Sequence, residues 1–328
     1  MSLEGSLVAR IMGTGSYLPR SIVTNKEMEK YVDTTDEWIV TRTGIKERHI
    51  SQSDENTGDL AYEAAKRALC DAGITAEELS YILVATTTPH SLVPNTSCYV
   101  QAKLGAANAS CLDLNAACTG FIYGLEVAEA LLHLPDMGYI LVIGAEVLTK
   151  ITNFKDRATC VLFGDGAGAA VLSRGEGIKG IITGSDGTKA ACLNTGTFAV
   201  SNILTGDQPF EHLVHMDGKE VYKFAVNILP EAMKAAVAKG NGNIHELDHI
   251  IPHQANIRII EAASKRLDIP MEKFFINIEK TGNTSAASIA IALDEMNKKS
   301  MLKNGDKIAL VGFGGGLTYG AAYIEWNR

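Results

Sequence analysis

The chain has 328 residues and a formal net charge of −8, and 46% of its residues are hydrophobic, 21% charged and 6% aromatic. This length corresponds to about two domain-sized units, and the acidity argues against nucleic acid as the main partner. The apolar runs are shorter than the ~18 residues that span a bilayer. Residues 1–6 lack the features of a secretory signal, so we expect a cytoplasmic protein that does not enter the membrane.

Short apolar runs alternate with amphipathic segments along the whole chain. The predicted strands are 81–85, 111–115, 139–144, 169–172, 249–252, 274–278, 307–311 and 321–326. Helices are predicted near 60–70, after Cys118, near 226–238 and after Gly282; in the second of these, apolar residues recur from Phe121 to Leu132 on one face. Strands separated by helices indicate an α/β fold with βαβ units and a sheet covered on both faces.

Two short matches at one offset suggest that the chain repeats itself. Residues 78–82 resemble 246–250 and residues 140–144 resemble 308–312, and both pairs are separated by 168 positions (246 − 78 and 308 − 140). We therefore predict two duplicated halves, an N-terminal half over 1–175 and a C-terminal half over 176–328.

An aperiodic segment rich in Gly, Thr, Ser and Asn, residues 184–215, lies between the repeated parts. A loop of this length in a compact protein is usually functional or disordered. Its scattered apolar residues, Phe198, Ile203, Leu204 and Phe210, favour a packed lid or tunnel wall.

Six cysteines are too few to form a stabilising disulfide framework in a chain of this length, so we expect reduced thiols. No two of them have C-x-x-C spacing, so we expect no metal site. They are Cys70, Cys98, Cys111, Cys118, Cys160 and Cys192. Cys118 follows a predicted strand and begins a predicted helix, where the helix dipole would lower the pKa of its thiol. The alternative interpretation is a small buried cysteine that packs a helix start.

Two polar residues of the second half also follow predicted strands. His253 comes directly after the strand at 249–252, and Asn283 lies between the segment at 274–278 and a helix of small residues. Open α/β sheets place their sites at the carboxyl ends of strands, although a helix cap would explain either residue. The duplication brings Cys118 and Asn283 to equivalent ends of the two halves, so we expect all three residues at one centre.

These segments together resemble the β-ketoacyl-acyl-carrier-protein synthase III family, the initiating condensing enzymes of type II fatty-acid synthesis. The resemblance rests on the runs 115–120, 253–256, 282–288 and 312–316, and on 13–19, 38–44 and 163–169 in the same order. It covers nearly the whole chain. It implies the thiolase-like fold, in which two pseudo-duplicated halves form a layered α-β-α-β-α sandwich, and it implies a homodimer.

The resemblance also implies a ping-pong Claisen condensation of a short acyl-CoA with malonyl-acyl carrier protein. Cys118 would become acylated. His253 and Asn283 would donate hydrogen bonds to the enolate formed on decarboxylation, and the backbone N–H groups of Cys118 and Gly315 would form a second oxyanion hole. No cofactor beyond the CoA thioester substrates is implied.

Binding residues carry over from the same resemblance. Trp38, Arg42 and Arg157 match positions that hold the adenine and phosphates of CoA, and Asn256 matches a contact to the pantetheine arm. Val93 stands where many members carry an aromatic residue that closes the primer pocket across a dimer interface, so a wider pocket is implied. Arg258, Lys265 and Arg266 share a helix face suited to an acidic carrier protein.

Other enzymes fit the motifs less well. A thiolase needs a second cysteine after Cys192, an elongating synthase has a second histidine where Asn283 stands, and a papain-like hydrolase predicts a secretory signal and disulfides. Hydroxymethylglutaryl-CoA synthases call for a glutamate acid that the sequence does not locate. A synthase of polyketide or quinolone-type products, using the same Cys-His-Asn site, is the main alternative, and a non-catalytic interaction protein is the remaining one.

Overall fold

The computed structural model describes residues 9–209 and 212–328. The strands are β1 (Ala9–Tyr17), β2 (Ser21–Thr24), β3 (Glu47–Ile50), β4 (Leu79–Ala85), β5 (Ser110–Leu114), β6 (Tyr139–Glu146), β7 (Gly166–Arg174), β8 (Ile178–Ser185), β9 (Leu193–Asn194), β10 (His215–Met216), β11 (His249–Pro252), β12 (Lys307–Gly314) and β13 (Thr318–Glu325). The α-helices are α1 (Asn25–Met28), α2 (Asp36–Thr43), α3 (Thr57–Ala72), α4 (Thr96–Leu104), α5 (Gly120–Leu132), α6 (Arg157–Cys160), α7 (Gly218–Lys239), α8 (Ile257–Leu267), α9 (Ile278–Thr281) and α10 (Ser288–Lys298).

Two mixed sheets have the same internal order. The first sheet runs β1-β7-β6-β4-β5, with β5, β4 and β6 parallel to one another and the other two pairings antiparallel. The second sheet runs β8-β13-β12-β11, with only β11 and β12 parallel. Phe274 adds an isolated parallel bridge to Ile250, at the place that β5 occupies in the first sheet. The sheets are therefore two copies of one topology.

The layers follow from where apolar side chains are buried. Helices α3 and α4 cover the outer face of the first sheet, and α7 and α8 cover the outer face of the second. Helices α5 and α10 lie between the sheets and share a core with strands of both. A helix packed on two sides must be apolar around most of its circumference, and every residue from Ser288 to Asp294 is buried. The predicted α-β-α-β-α sandwich of two duplicated halves is confirmed.

The repeat extends to the turns that begin the two central helices. A 3-10 turn over Ala117–Thr119 precedes α5, and a 3-10 turn over Ser285–Ala287 precedes α10, again 285 − 117 = 168 positions apart. Ala117 and Ser285 both have φ 47°. The turns contain Cys118 and Ala286 at equivalent positions, so the first half supplies a cysteine where the second has alanine.

The structure differs from the predicted elements in a few places. Strands β1, β2, β3, β8, β9 and β10 were not predicted. The segment predicted as a strand at 274–278 forms only the single bridge at Phe274 before α9 begins. Phe275 N donates to Ile250 O, and the backbone then turns so that Asn277 N donates to Oε1 of Gln254. The Gln254 side chain therefore takes a backbone hydrogen bond that a strand would give to its neighbour.

Among the described residues of segment 184–215, the contribution to the cavity wall comes from its base. Leu193 in β9 pairs with Met216 in β10, and both side chains line the cavity described below. The expected packing of its apolar residues is wrong for Ile203 and Leu204, which are exposed, and Phe198 is mostly exposed although its ring contacts His212. Phe210 and residues 1–8 of the predicted N-terminal half lie outside the described residues.

Candidate active site at the seam of the two halves

One cavity runs from the surface to the turn that carries Cys118. It encloses about 910 Å³ between protein atoms. Its walls are mostly apolar, with Cys118, His253 and Asn283 among the lining residues and with Trp38 and Arg42 also on its wall. The three residues expected at one centre therefore face the same cavity, although they come from three separate segments.

Cys118 lies in the 3-10 turn immediately before α5 rather than in the helix itself. Its side chain is partly exposed and lines the cavity. The expected lowering of its pKa is wrong: burial raises the pKa of the Cys118 thiol to about 12, and the helix terminus does not compensate. A hydrogen bond from Ser285 lowers the pKa, and the charge of Glu146 raises it further. The resting thiol is therefore protonated at neutral pH.

The glycine-rich turn between β12 and β13 packs directly against the nucleophile. A Cβ on Gly314 would lie 2.7 Å from the backbone N of Cys118, and one on Gly315 would lie 3.6 Å from the Cβ of Ala117. The hydroxyl of Thr318 bonds to Ala116 O at 3.1 Å and accepts from the Thr119 hydroxyl at 2.9 Å. These bonds tie the turn to the cysteine, so backbone of both halves surrounds the Cys118 amide.

His253 is buried at the end of β11. Its Nδ1 lies 2.6 Å from the Ser288 hydroxyl, and its ring meets Phe313 edge-on at 5.6 Å between centroids. Burial alone lowers the pKa of His253 to about 3. The imidazole is therefore neutral at physiological pH and presents one N–H donor.

Asn283 is held by the backbone on both sides. Its N donates to Leu162 O at 2.9 Å, its carbonyl O accepts from Gly164 N at 3.0 Å, and its Oδ1 accepts from Ser285 N at 2.9 Å. Because Oδ1 is engaged in capping the turn, the side-chain NH₂ group is the one left for the cavity. The expected cap is present, and it leaves the side-chain NH₂ group free of the turn.

The mouth of the cavity carries an aromatic ring with two cations. The Arg42 guanidinium lies 4.4 Å from the Trp38 ring centroid and that of Arg157 lies 5.0 Å away. Asn256 lines the cavity and caps α8 by accepting from Arg258 N at 2.9 Å. Such a cluster suits a ligand with an aromatic base and phosphates.

Comparison with known proteins agrees with these motifs. Sequence profiles of 3-oxoacyl-[acyl-carrier-protein] synthase III match residues 112–188, and those of its C-terminal region match residues 237–326. The beta-ketoacyl-[acyl-carrier-protein] synthase III of Clostridium acetobutylicum is 51% identical over 321 residues, which cover 97% of this chain and 98% of the relative. The chain belongs to the β-ketoacyl-acyl-carrier-protein synthase III family.

Solved structures give the same assignment. The crystal structure of 3-oxoacyl-[acyl-carrier-protein] synthase III from Aquifex aeolicus has a TM-score of 0.90 at 43% identity and covers 97% of this chain and 100% of its own. The priming β-ketosynthase of the R1128 polyketide pathway also has a TM-score of 0.90, but at 35% identity, with 100% and 99% of the two chains covered. The fold is thiolase-like, and the chain is a condensing acyltransferase of fatty-acid synthesis. The secondary-metabolite alternative is not favoured.

The remaining residues assigned by resemblance to the synthase III family lie on the surface. Arg258, Lys265 and Arg266 are exposed on α8, but the Arg266 guanidinium bonds to Val226 O on the neighbouring helix. Val93 does not line the cavity of its own chain; it is 87% exposed beside Leu92, which is 73% exposed. Within the described residues, no helix is long and apolar enough to cross a membrane and no cluster of metal-ligating side chains is present.

Three residues near the chemistry escaped the sequence analysis. Ser285 and Ser288 belong to the run that carried the resemblance, and Glu146 lies two residues beyond the strand predicted at 139–144, but none received a role. Ser285 lowers the pKa of the Cys118 thiol, and the Ser288 hydroxyl hydrogen-bonds to His253. Aligning the repeat at an offset of 168 pairs Ser285 with Ala117 and Ser288 with Gly120. This alignment would have marked both serines as polar additions to the second half.

Proposed function

We propose that this enzyme joins a short acyl-CoA to malonyl-acyl carrier protein, with Cys118 as the nucleophile, and releases 3-oxoacyl-acyl carrier protein. The observation that carries the proposal is that Cys118, His253 and Asn283 line one cavity whose walls include Trp38 and Arg42. No cofactor is required, because the thioesters supply both the activated acyl group and the driving decarboxylation.

Acylation comes first. The Cys118 sulfur attacks the acyl-CoA carbonyl, and the CoA thiolate leaves, so that one difficult reaction becomes two easier ones. The backbone N–H groups of Cys118 and Gly315 stabilise the oxyanion of this step. The close contact of the turn at Gly314 with the Cys118 amide supports this assignment.

Decarboxylation of the malonyl group needs neutral donors at the thioester oxygen. Gln254 N lies 3.4 Å from the Ser288 hydroxyl oxygen, which accepts its hydrogen bond and is left to donate its own proton to Nδ1 of His253. This tautomer leaves an N–H on Nε2, and the Asn283 side-chain NH₂ supplies the second donor. Together they stabilise the enolate that attacks the acyl-Cys118 carbonyl.

CoA enters through the mouth at Trp38. The two guanidinium groups lie directly on the ring, which leaves no space for an adenine between Trp38 and either arginine. Binding therefore requires Arg42 or Arg157 to swing off the ring and take a phosphate, while Asn256 contacts the pantetheine arm. Arg157 is also tied to Asp33 O at 2.8 Å, and this bond is lost if Arg157 moves.

The exposed cations of α8 provide the docking surface for the carrier protein. Arg258 and Lys265 are seven positions apart on one face and are free to reach an acidic partner, whereas Arg266 is partly engaged by α7. These contacts affect delivery of the malonyl group and leave acylation by CoA thioesters unchanged.

The working unit is a homodimer. Strand β5 is the edge of the first sheet, its Leu112 is exposed, and the adjacent Leu92 and Val93 are exposed apolar residues. Pairing of two β5 edges buries these side chains. Val93 then enters the partner's primer pocket, where its small side chain leaves space for longer or branched acyl groups.

The proposal is tested by weighing the protein after incubation with a panel of straight and branched acyl-CoA primers. We expect a stable adduct of the acyl mass that is absent from Cys118→Ala, followed by 3-oxoacyl product when malonyl-acyl carrier protein is added. Absence of an adduct with every primer refutes the proposed function. An adduct that never condenses with malonyl-acyl carrier protein refutes the assignment of the second substrate.

A further inference from the structure

The largest fully buried side chain among the described residues is an arginine that the proposed chemistry does not use. Arg48 lies in β3 and is inaccessible to solvent. Burial lowers the pKa of its guanidinium to about 10, so the group still carries its charge at neutral pH. A charge taken out of water is costly unless it is paired, so the contacts of this group decide what it contributes.

The Arg48 guanidinium bonds to two backbone carbonyl groups and to no carboxylate in the described part of the chain. Its Nη1 donates to Val23 O on the neighbouring strand β2 at 3.1 Å, and its Nη2 donates to Val161 O at 2.8 Å. Its Nε is buried and has no hydrogen-bond partner among the described residues. The charge is therefore desolvated without an ion pair.

Fold stability alone does not account for such a group. Buried charged residues can often be replaced by apolar residues of similar volume with no loss of stability, or with a gain. Val161 belongs to an apolar cluster with Met28 and Ile39, and Val23 packs against this cluster. An apolar side chain would therefore suit the surroundings of Arg48, but it would not supply the two hydrogen bonds.

One of these hydrogen bonds fixes the start of the segment that holds Asn283, residues 161–164. Val161 caps the C-terminus of α6. Leu162 O accepts from Asn283 N at 2.9 Å, and Gly164 N donates to Asn283 O at 3.0 Å. Phe163 forms a parallel bridge with Asn283. The position of Asn283 therefore follows the position of segment 161–164.

The stem of Arg48 packs against the same pairing. A Cβ on Gly164 would lie 3.2 Å from the Cβ of Arg48, and so would a Cβ on Gly282. Gly164 ends segment 161–164, and Gly282 directly precedes Asn283. Arg48 therefore supports both strands of the pairing with its stem and the start of the segment with its guanidinium.

We propose that Arg48 is a positioning residue for condensation, which holds Val161 O and so keeps the Asn283 side chain at the enolate. This inference rests on the proposed function, in which Asn283 donates to the enolate oxygen. A guanidinium suits the task because its rigid planar fork presents separate nitrogens to two carbonyl groups, whereas lysine presents one nitrogen. Arg48 does not line the cavity, so it acts through Asn283 and not on the substrate.

The nucleophile is held by other contacts. The turn of Cys118 packs against Gly314 of β12, and the Thr119 hydroxyl bonds to the Thr318 hydroxyl of β13 at 2.9 Å. Loss of the bond between Arg48 and Val161 O should therefore slow condensation and spare acylation.

The test measures the two half-reactions separately by intact mass. The enzyme is acylated with saturating acetyl-CoA, freed of excess, mixed with saturating malonyl-acyl carrier protein and quenched at intervals. Arg48→Met should acylate within about threefold of wild type but consume its acetyl adduct about 10- to 100-fold more slowly, because a displacement of about 1 Å costs on the order of 10²-fold. Arg48→Lys should show the same loss, because one nitrogen cannot bridge both carbonyl groups. It retains the charge and much of the stem, and it provides the same comparison if Arg48→Met does not fold.

A double-mutant cycle tests whether Arg48 acts through Asn283. In an Asn283→Ala background, Arg48→Met should slow condensation by less than about threefold, because the side chain that Arg48 positions is already absent. Arg174→Met is the matched control. The Arg174 guanidinium also bonds to two backbone carbonyl groups, those of Leu132 and Leu134, at the end of α5 remote from Cys118. This control should leave both half-reactions unchanged.

The outcomes are distinct. Equal losses in acylation and condensation overturn the positioning role, and so do losses in Arg48→Met and Asn283→Ala that multiply in the double variant. Full condensation in Arg48→Lys overturns it as well, because charge without the second hydrogen bond would then suffice. A wild-type enzyme that forms no acetyl adduct overturns the proposed function instead.

Discussion

Replacing Gly314 by alanine tests whether the end of β12 positions the nucleophile. The added Cβ would lie 2.7 Å from Cys118 N and 3.1 Å from Cys118 Cβ, whereas ordinary contacts begin at 3.4 Å. The backbone must therefore separate by about 3.4 − 2.7 = 0.7 Å. Displacement of a reacting group by about 1 Å costs on the order of 10²-fold in rate, and overpacking costs about 1–3 kcal/mol of stability.

The assay for Gly314→Ala is the acylation rate with acetyl-CoA, with thermal unfolding measured in parallel. We expect a rate loss of about 30- to 100-fold and a lower Tm. Gly187→Ala is the matched control, because a Cβ there meets nothing within 4 Å, and it should change neither quantity. A Gly314→Ala enzyme that acylates within about threefold of wild type refutes the reasoning.

Three further predictions follow from the site. Asn283→Ala should retain acylation and lose condensation by about 10²–10³-fold, as measured by release of 3-oxoacyl product; equal losses in both steps would contradict its role as an enolate donor. The pKa of His253 is lowered to about 3 in the folded protein. Below pH of about 6.5 the unfolded chain therefore binds a proton that the folded protein does not bind, and the stability contributed by His253 is lost as the pH falls. The stability difference between wild type and His253→Gln should therefore be about 2 kcal/mol smaller at pH 5 than at pH 7 in denaturant unfolding, and a pH-independent difference would show that the imidazole is not buried neutral. Reversing Arg258 and Lys265 to glutamate should raise KM for malonyl-acyl carrier protein about tenfold or more without changing acylation by acetyl-CoA; an unchanged KM would place the docking surface elsewhere.

The two-fold architecture was predictable because both copies of a duplicated unit keep similar sequence segments at a constant offset. The offset of 168 residues found at 140–144 and 308–312 holds for β6 and β12 and for the turns at Ala117 and Ser285. Strands separated by helices predicted sheets covered on both faces, and the resemblance to the synthase III family implied the layered sandwich. Strands β1 and β8 were missed because their glycine and polar residues mask the apolar pattern, and pairing across the sheet rather than local preference makes them strands.

The protonation states at the site were not predictable from local sequence. A cysteine at a helix start is expected to be acidic, but desolvation outweighs the helix terminus, and only three-dimensional packing reveals how deeply Cys118 is buried. The exposure of Ile203 and Leu204 was not predictable either, because apolar residue types alone do not distinguish packed side chains from exposed ones.

The central pair of helices links stability to catalysis in this enzyme. Because α5 and α10 lie between two sheets, neither can shift to relieve a crowded or emptied core position without moving the turn at its own N-terminus. One turn carries the reacting sulfur and the other carries Ser285. Substitutions at Leu125 or Leu293, far from any substrate, should therefore register first in turnover and only later in the amount of folded protein. Substitution at such core positions is therefore constrained by the chemistry at the helix ends as much as by folding.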